Sequence, residues 1–160
     1  MKFFYCIVYI ISTGIVFFLL GRALPKEWFH EDAPLYRPRK NESRLFQKLK
    51  IKEWQKRLPD MSRIAKKLMP AKKLTEKTLS DLNLMIEETC VAEFIHVLLC
   101  ISGLACLRIW PGTGGKIVTV LYILLGNVPY ILVQRYTRPR LEELRHRREM
   151  KTKTEGSIAE

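Results

Sequence analysis

The chain has 160 residues, of which 48% are hydrophobic and 28% are charged, and its formal net charge is +12. The length suits one domain. A soluble nucleic-acid binder would also be basic, but here the apolar residues form three long runs with the charges between them. This segregation disfavours that class and is typical of basic segments that face anionic lipid headgroups.

The first apolar run extends from Phe3 to Leu20 and carries no charge. As a helix it would span roughly 27 Å, at about 1.5 Å per residue, which is close to the hydrocarbon thickness of a bilayer. A cleaved signal peptide is the alternative, because the small residues around Arg22 loosely fit a cleavage site. Arg22 and Lys26 flank the far end, whereas only Lys2 precedes the run, so we predict a retained transmembrane anchor over residues 1–21.

Residues 22–93 are predicted to form a basic, helical region at the cytoplasmic membrane surface. Four apolar residues recur at near-helical spacing, with Lys and Arg between them: Leu45, Leu49, Trp54 and Leu58. This pattern is typical of an amphipathic helix that lies along a membrane. Pro59 ends the segment, and Ser62 and Thr75 are candidate caps of two further helices. Packing of these helices against the rest of the protein is the alternative.

The second and third apolar runs are predicted to form a transmembrane helical hairpin over residues 94–135. The second run extends from Phe94 to Trp110 and the third from Ile117 to Val133. The Pro- and Gly-rich residues 111–115 between them are typical of a tight turn. The turn lacks the signature of a phosphate-binding loop, because Lys116 is followed by Ile rather than by Ser or Thr.

Lys and Arg are dense in residues 22–93 and again after Arg135, whereas the hairpin turn carries only Arg108 and Lys116. The positive-inside rule therefore predicts a multi-pass membrane protein with a cytoplasmic C-terminus. Residues 136–160 are predicted to be a basic cytoplasmic tail that frays. The fold class that we predict is an all-α integral membrane protein with an anchor helix, basic interfacial helices and a C-terminal hairpin.

Four polar side chains are predicted to meet at one depth of the hairpin. Counted from the centre of the turn, Glu93 and His96 lie 20 and 17 residues before it. Gln134 and Arg135 lie 21 and 22 residues after it. At 1.5 Å per residue, these counts place all four within roughly 8 Å of one another in depth, and Asn127 about two turns deeper. Polar groups are costly inside a bilayer, so we interpret them as functional.

Glu93 and His96 are three residues apart and therefore share a helix face. A carboxylate in that position can hold the imidazole in one tautomer, so that His96 takes a proton from a sugar hydroxyl as general base. Gln134 and Arg135 can donate hydrogen bonds to a developing oxyanion or to a phosphate. These roles predict acyl transfer from a cytosolic thioester donor to a membrane lipid acceptor.

The same residues also permit a structural interpretation, in which Arg135 pairs with Glu93 and His96 reaches the headgroups. Cys90 is an alternative nucleophile to which the spacing assigns no base. We predict no metal, because Glu-x-x-His alone falls short of a ligand set, and no cofactor. The alternative function is a non-catalytic membrane protein that binds anionic lipid or scaffolds a biosynthetic complex.

Three blocks of the chain resemble the glycosyl-4,4'-diaponeurosporenoate acyltransferases, a small family of bacterial membrane proteins: Lys52 to Asp60, Glu88 to His96, and Asn127 to Leu141. The last block is the most specific, because Gln-Arg-Tyr-x-Arg-Pro-Arg-Leu is a long and unusual string. The resemblance implies a bacterial plasma-membrane enzyme that esterifies the glucose of a C30 carotenoid glycoside with a fatty acyl chain. Six of the matched positions carry side chains that can take part in catalysis or bind a substrate: Glu93, His96, Asn127, Gln134, Arg135 and Arg138.

From their chemistry we assign His96 and Glu93 to catalysis and the other four residues to substrate binding. The expected partners are a membrane lipid, an acyl-thioester donor, and a glycosylated carotenoid or glycolipid acceptor, without nucleic acid. The chain departs from the family at three positions: it has Val91 in place of Arg, Val97 in place of Trp, and Thr137 in place of Asn. The loss of a basic and an aromatic residue beside the predicted site bears on the substrate more than on the fold.

Overall fold

The computed structural model describes residues 1–58 and 79–158, with side chains as far as Thr154. Every regular element within these ranges is helical, which confirms the predicted all-α class. Three helical stretches are long and apolar enough to cross a membrane: Lys2–Ala23, Leu79–Ile109 and Thr113–Thr154. Their arrangement in a bilayer as anchor and hairpin stays a prediction. The predicted helices after Ser62 and Thr75 begin outside the described residues.

Helix α1, Lys2–Ala23, is the first apolar run, and Cys6 is its one buried residue. Its contacts run antiparallel to the chain from 79 to 110. The Tyr9 hydroxyl donates to the Ser102 carbonyl at 3.1 Å, and the Cys6 thiol lies 3.9 Å from the Cys106 carbonyl oxygen. The rest of α1 exposes large apolar side chains, which suits contact with lipid rather than with water.

Residues 24–58 form a cap of short helices that packs against the later helices. Two of them are α-helices, α2 at Glu42–Lys48 and α3 at Ile51–Trp54, and two are 3-10 turns, Lys26–Trp28 and Gln55–Arg57. The cap carries several of the groups that surround the candidate site.

The predicted continuous amphipathic helix is broken at Lys50, which has a φ of 50° and therefore lies in the left-handed region. The break changes the face that the segment buries. Phe46 and Ile51 are buried, whereas Leu45 and Leu49 are 46% and 42% exposed. The recurrence of apolar residues at near-helical spacing thus located a helical segment correctly, but Phe46 and Ile51, rather than the predicted leucines, are its buried residues.

Helix α4, Leu79–Gly103, runs without a break from the basic region into the second apolar run, and the single turn α5, Cys106–Ile109, follows it. The chain reverses at Gly112, whose φ of 118° favours glycine over other residues. Helix α6, Thr113–Leu121, then begins the return. The reversal therefore lies at the start of the predicted turn, and the Gly residues after it are helical.

A π-helical turn, Tyr122–Asn127, joins α6 to α7, which extends over Val128–Ile158. A Cβ on Gly103 would lie only 2.6 Å from the Tyr122 ring, so the glycine allows that ring to lie against α4. Turns of this kind occur often at functional sites, because the extra residue re-aims the side chains that follow. Here Asn127, at the end of the turn, is 1% exposed.

The basic tail is helical, as part of α7, as far as Ile158, and its fraying stays a prediction. Leu141 is buried against Leu82 and Ile86 of α4. Further along, Arg145 contacts the Asn83 amide oxygen at 3.1 Å and the Glu31 carboxylate at 2.8 Å. Apolar packing and these polar contacts extend the helix beyond the point at which its apolar run ends.

Candidate active site

Polar side chains of α4 and α7 meet in two layers. One layer, the neutral pair, consists of His96 and Asn127. The other, the ion network, joins Glu93 to Arg135 and Arg138, and reaches Glu42 of the cap through Arg135. Glu93 and Arg135, which the residue counts around the turn place near one another, are in direct contact.

Glu93 is 2% exposed, and each of its carboxylate oxygens accepts a hydrogen bond from a different arginine. Arg135 Nη1 lies 2.7 Å from Oε1, and Arg138 Nη2 lies 2.6 Å from Oε2. A buried carboxylate without partners would be strongly destabilising, whereas two charge-assisted hydrogen bonds offset much of that cost. The ion pair that the sequence left as an alternative is therefore present.

Each of the five N–H groups of Arg135 donates a hydrogen bond to a protein acceptor. Nε and Nη2 donate to the two oxygens of Glu42, and Nη1 donates to Glu93. The remaining two hydrogen bonds go to the carbonyls of Leu35 and Arg37, at 2.9 and 3.1 Å. Binding of an oxyanion or a phosphate by this guanidinium would first require one of these bonds to open, so the geometry favours a positioning role.

Arg138 of α7 forms hydrogen bonds to both α4 and the cap. It is 2% exposed, and its Nε donates to the Thr89 hydroxyl at 2.9 Å. Its Nη1 donates to the Tyr36 carbonyl at 3.1 Å, while its guanidinium carbon lies 5.0 Å from the centre of the Tyr36 ring. A guanidinium that is buried among protein partners in this way stabilises the local fold.

The cap residues of the site have shifted pKa values. Burial opposes ionisation of Glu42, but hydrogen bonds from Arg135 and from the Arg39 backbone N–H outweigh it and hold the pKa of Glu42 below its usual range. Burial, with smaller contributions from Cys90 and Glu93, raises the pKa of Tyr36 to about 12. Glu42 is therefore a carboxylate and Tyr36 a neutral phenol at physiological pH, so Tyr36 is a poor general base.

The neutral pair fixes the tautomer of His96. Its Nδ1 lies 3.0 Å from Oδ1 of Asn127, whose own Nδ2 donates to the Tyr122 carbonyl at 3.1 Å. The second bond sets the amide orientation, so that an oxygen faces the imidazole. An amide oxygen only accepts, hence Nδ1 of His96 carries a proton, and in the neutral form of this imidazole Nε2 keeps the lone pair. The ring also stacks on Tyr130, with centroids 4.8 Å apart and planes at 6°.

These contacts differ from the predicted dyad, in which Glu93 orients His96. Glu93 pairs with Arg135 and Arg138, and Asn127 takes the orienting role. The reason is electrostatic: two permanent cations on α7 attract a buried carboxylate more strongly than a neutral imidazole one turn away. The predicted pairing of Glu93 with His96 is therefore wrong, whereas the catalytic and binding roles of these residues stay predictions.

A groove of about 550 Å³ lies between α1 and α4, and His96 forms part of its wall. Apolar side chains line most of it, with Arg22, Lys26 and Glu88 at one end, which we call the rim. A Cβ on Gly14 would meet nothing within 4 Å, so the absence of a side chain there widens the groove. The neutral pair thus adjoins a space at the depth of the apolar helices.

The other candidate residues have different surroundings. Gln134 is partly buried on α7, one residue before Arg135. Cys90 is fully buried in an apolar cluster with Phe29 and Tyr36, where a thiol behaves as a small hydrophobe. Tyr130 is a further residue of the site that was not predicted, although it follows Asn127 by three residues and so shares its helix face.

Glu42 and Tyr36 were also missed. Both belong to the cap, and their partners are about 100 residues away in sequence. No local spacing relates residues that are so far apart, so one sequence offered no signal for these contacts.

Comparison with known proteins identifies the family. The model of the glycosyl-4,4'-diaponeurosporenoate acyltransferase family matches residues 25–147, a range that contains both polar layers and begins after α1. The relatives of that name from Staphylococcus aureus strains MRSA252 and N315 are 27% identical over 145 residues, which cover 88% of this chain and 86% of theirs. No solved structure matches the chain. The chain therefore belongs to the glycosyl-4,4'-diaponeurosporenoate acyltransferase family.

Proposed function

We propose that this protein transfers a fatty acyl group from a thioester donor to a sugar hydroxyl of a glycosylated carotenoid or a related glycolipid. Family membership supports an acyltransferase in carotenoid biosynthesis. The observation that carries the site assignment is the oriented imidazole of His96 in the wall of an apolar groove. Three long apolar helices support a multi-pass protein of the bacterial plasma membrane, with the basic C-terminus in the cytoplasm.

His96 acts as the general base in this proposal. Its Nε2 takes the proton of the sugar hydroxyl while the hydroxyl oxygen attacks the thioester carbonyl. The new C–O bond forms, the C–S bond breaks, and the imidazolium returns the proton to the departing thiolate. Asn127 holds the ring in the required tautomer throughout, because its amide orientation is fixed by the Tyr122 carbonyl.

The groove receives the hydrocarbon part of the substrate. Its apolar lining matches a hydrocarbon chain, and the sugar hydroxyl that reacts lies against His96 in the groove wall. Helix α1 supplies one wall, so the predicted anchor is also part of the site. Val91 lies in the opposite wall at a position where the family resemblance gives Arg. This groove is therefore more apolar than the resemblance implies, which is why we name the acceptor by class only.

The ion network positions the neutral pair rather than reacting. Glu93 ties α4 to two arginines of α7, and this tie keeps His96 level with Asn127. Gln134, one residue before Arg135 on α7, keeps its predicted role as a hydrogen-bond donor to the substrate. The non-catalytic alternative fits the ion network taken alone, but it gives no role to a tautomer-fixed imidazole beside a groove.

The test compares lipid and pigment extracts by mass spectrometry, from cells that supply a glycosylated carotenoid, with and without the gene. We expect a product that is heavier by one fatty acyl ester. His96→Gln should remove this product while the protein remains in the membrane, since glutamine approximates the size of the ring. His146→Gln, at an exposed position of α7, is the matched control and should retain it. Normal ester formation by His96→Gln would exclude the proposed base.

A further inference from the structure

A second cavity, of about 580 Å³, lies between the cap and α7, and it shares no lining residue with the groove. Residues of α2, α3 and α7 line it, including the aromatic pair Phe46 and Tyr136, whose centroids are 5.7 Å apart. Its volume is in the range of small-molecule sites, about 300–1,000 Å³. We call it the cap cavity, and the proposed mechanism gives it no role.

The lining of the cap cavity has an excess of positive charge. Four cations line it: Arg39, Lys50, Lys52 and Arg140. Of its two carboxylates, Glu53 and Glu42, the latter is already bonded to Arg135. Among the residues that the structure describes, no carboxylate forms an ion pair with any of the four cations. Several cations that line one cavity without forming an ion pair there favour an anionic ligand.

The backbone at Lys50 is an independent observation. This residue follows the end of α2 in the left-handed conformation that glycine normally takes at a helix C-terminus. The conformation is unfavourable for lysine, and the Trp54 indole, which donates to the Leu49 carbonyl at 2.8 Å, helps to maintain it. The backbone conformation at position 50 would favour glycine. A lysine at this position of the cavity lining therefore indicates a role for its side chain.

We propose that the cap cavity binds the phosphate-bearing end of the acyl donor, a phosphopantetheine thioester of the kind found in acyl-coenzyme A and in acyl carrier proteins. The inference rests on the proposed acyl transfer, which requires a thioester. Glu42 belongs both to the cavity lining and to the ion network, which connects the cavity through Arg135 and Glu93 to α4, the helix that carries His96. Beyond that network, His96 lies one helical turn from Glu93, about 5 Å of rise.

The test measures binding of coenzyme A to the full chain in nanodiscs of neutral lipid. Coenzyme A should bind to the wild type, and Lys50→Gly should weaken binding about tenfold or more, the usual size for one lost charge-assisted contact. The same substitution should preserve or raise the thermal midpoint, because glycine relieves the left-handed backbone. Lys48→Ala, which removes a cation outside the cavity lining from the same short segment, is the control and should change neither quantity.

Parallel titrations identify the source of the phosphate. Binding of a phosphopantetheinylated carrier protein in place of coenzyme A would support the site and name its donor. Three results would overturn the proposal: no binding of either donor, inorganic phosphate binding as tightly as coenzyme A, or displacement of coenzyme A by phosphatidylglycerol in the nanodisc. Equal weakening by Lys48→Ala would also overturn it. If one of these results is obtained but acyl transfer still depends on His96, the donor-site proposal fails and the proposed function is retained.

Discussion

The ion network and the neutral pair lie one helical turn apart on α4, yet they have opposite characters. In the network, charges of both signs are buried and bonded to one another, and Arg135 has no N–H left for a ligand. In the neutral pair, an uncharged imidazole with a fixed tautomer lines an open groove. The most charged residues of the site thus form its scaffold, whereas the candidate for chemistry is a neutral side chain that the scaffold positions.

Glu93→Gln should give the largest loss of stability, since it takes a carboxylate away from the buried guanidinium of Arg138 and the partly buried one of Arg135. Removing one partner of a buried ion pair costs about 3–5 kcal/mol. Denaturant titration in mild detergent measures the change in the free energy of unfolding. Glu143→Gln is the control, because its pair with Arg147 is largely exposed and should contribute less than about 1 kcal/mol. Similar losses in the two variants would mean that Glu93 is not part of a buried network.

A double substitution sharpens that result. Arg138→Met added to Glu93→Gln removes the cation that the first change left unpaired, while Arg135 keeps its bonds to Glu42. The double variant should therefore be more stable than the sum of the single changes predicts, by about 0.5–3 kcal/mol. Strict additivity, measured by the same titration, would show that Glu93 and Arg138 do not interact.

Asn127→Leu tests the other region. It removes the oxygen that accepts the Nδ1 proton, so both imidazole tautomers should become populated and acyl transfer should fall about 5- to 150-fold, equivalent to about 1–3 kcal/mol. Nitrogen-15 NMR of the imidazole should show a protonated Nδ1 in the wild type and a mixture in the variant. An unchanged tautomer in the variant would remove Asn127 from its orienting role, whatever happens to stability.

The smallest expected effect is on acid stability. The pKa of Glu42 is lower in the folded protein than its ordinary value, so its contribution to stability is present above about pH 4.3 and is lost as the pH falls through the folded value. Thermal midpoints recorded from neutral to acidic pH should decline in the acid range, and Glu42→Gln should flatten this decline. A decline of equal slope in the variant would assign it to other carboxylates.

The sequence predicted what depends on composition and local spacing. The three apolar runs became long helices, and the residue count around the turn placed Glu93 beside Arg135. It failed where remote segments compete for one side chain. Glu93 and His96 share a helix face, but the cations of α7 decide the partner of the carboxylate. The cap residue Glu42 and the strained Lys50 depend on tertiary packing, which no periodicity encodes.

Chemical rescue tests the central claim most directly. His96→Ala should lower the rate of acyl transfer by about 10²–10⁴-fold, the usual contribution of a positioned acid or base. It also opens space beside the groove, so added imidazole should restore part of the rate in a concentration-dependent way. His96→Gln fills that space and should not respond. Our account predicts rescue of the alanine variant alone. Wild-type rates in His96→Ala without imidazole, or equal responses of both variants to it, would contradict the assignment of His96 as the base.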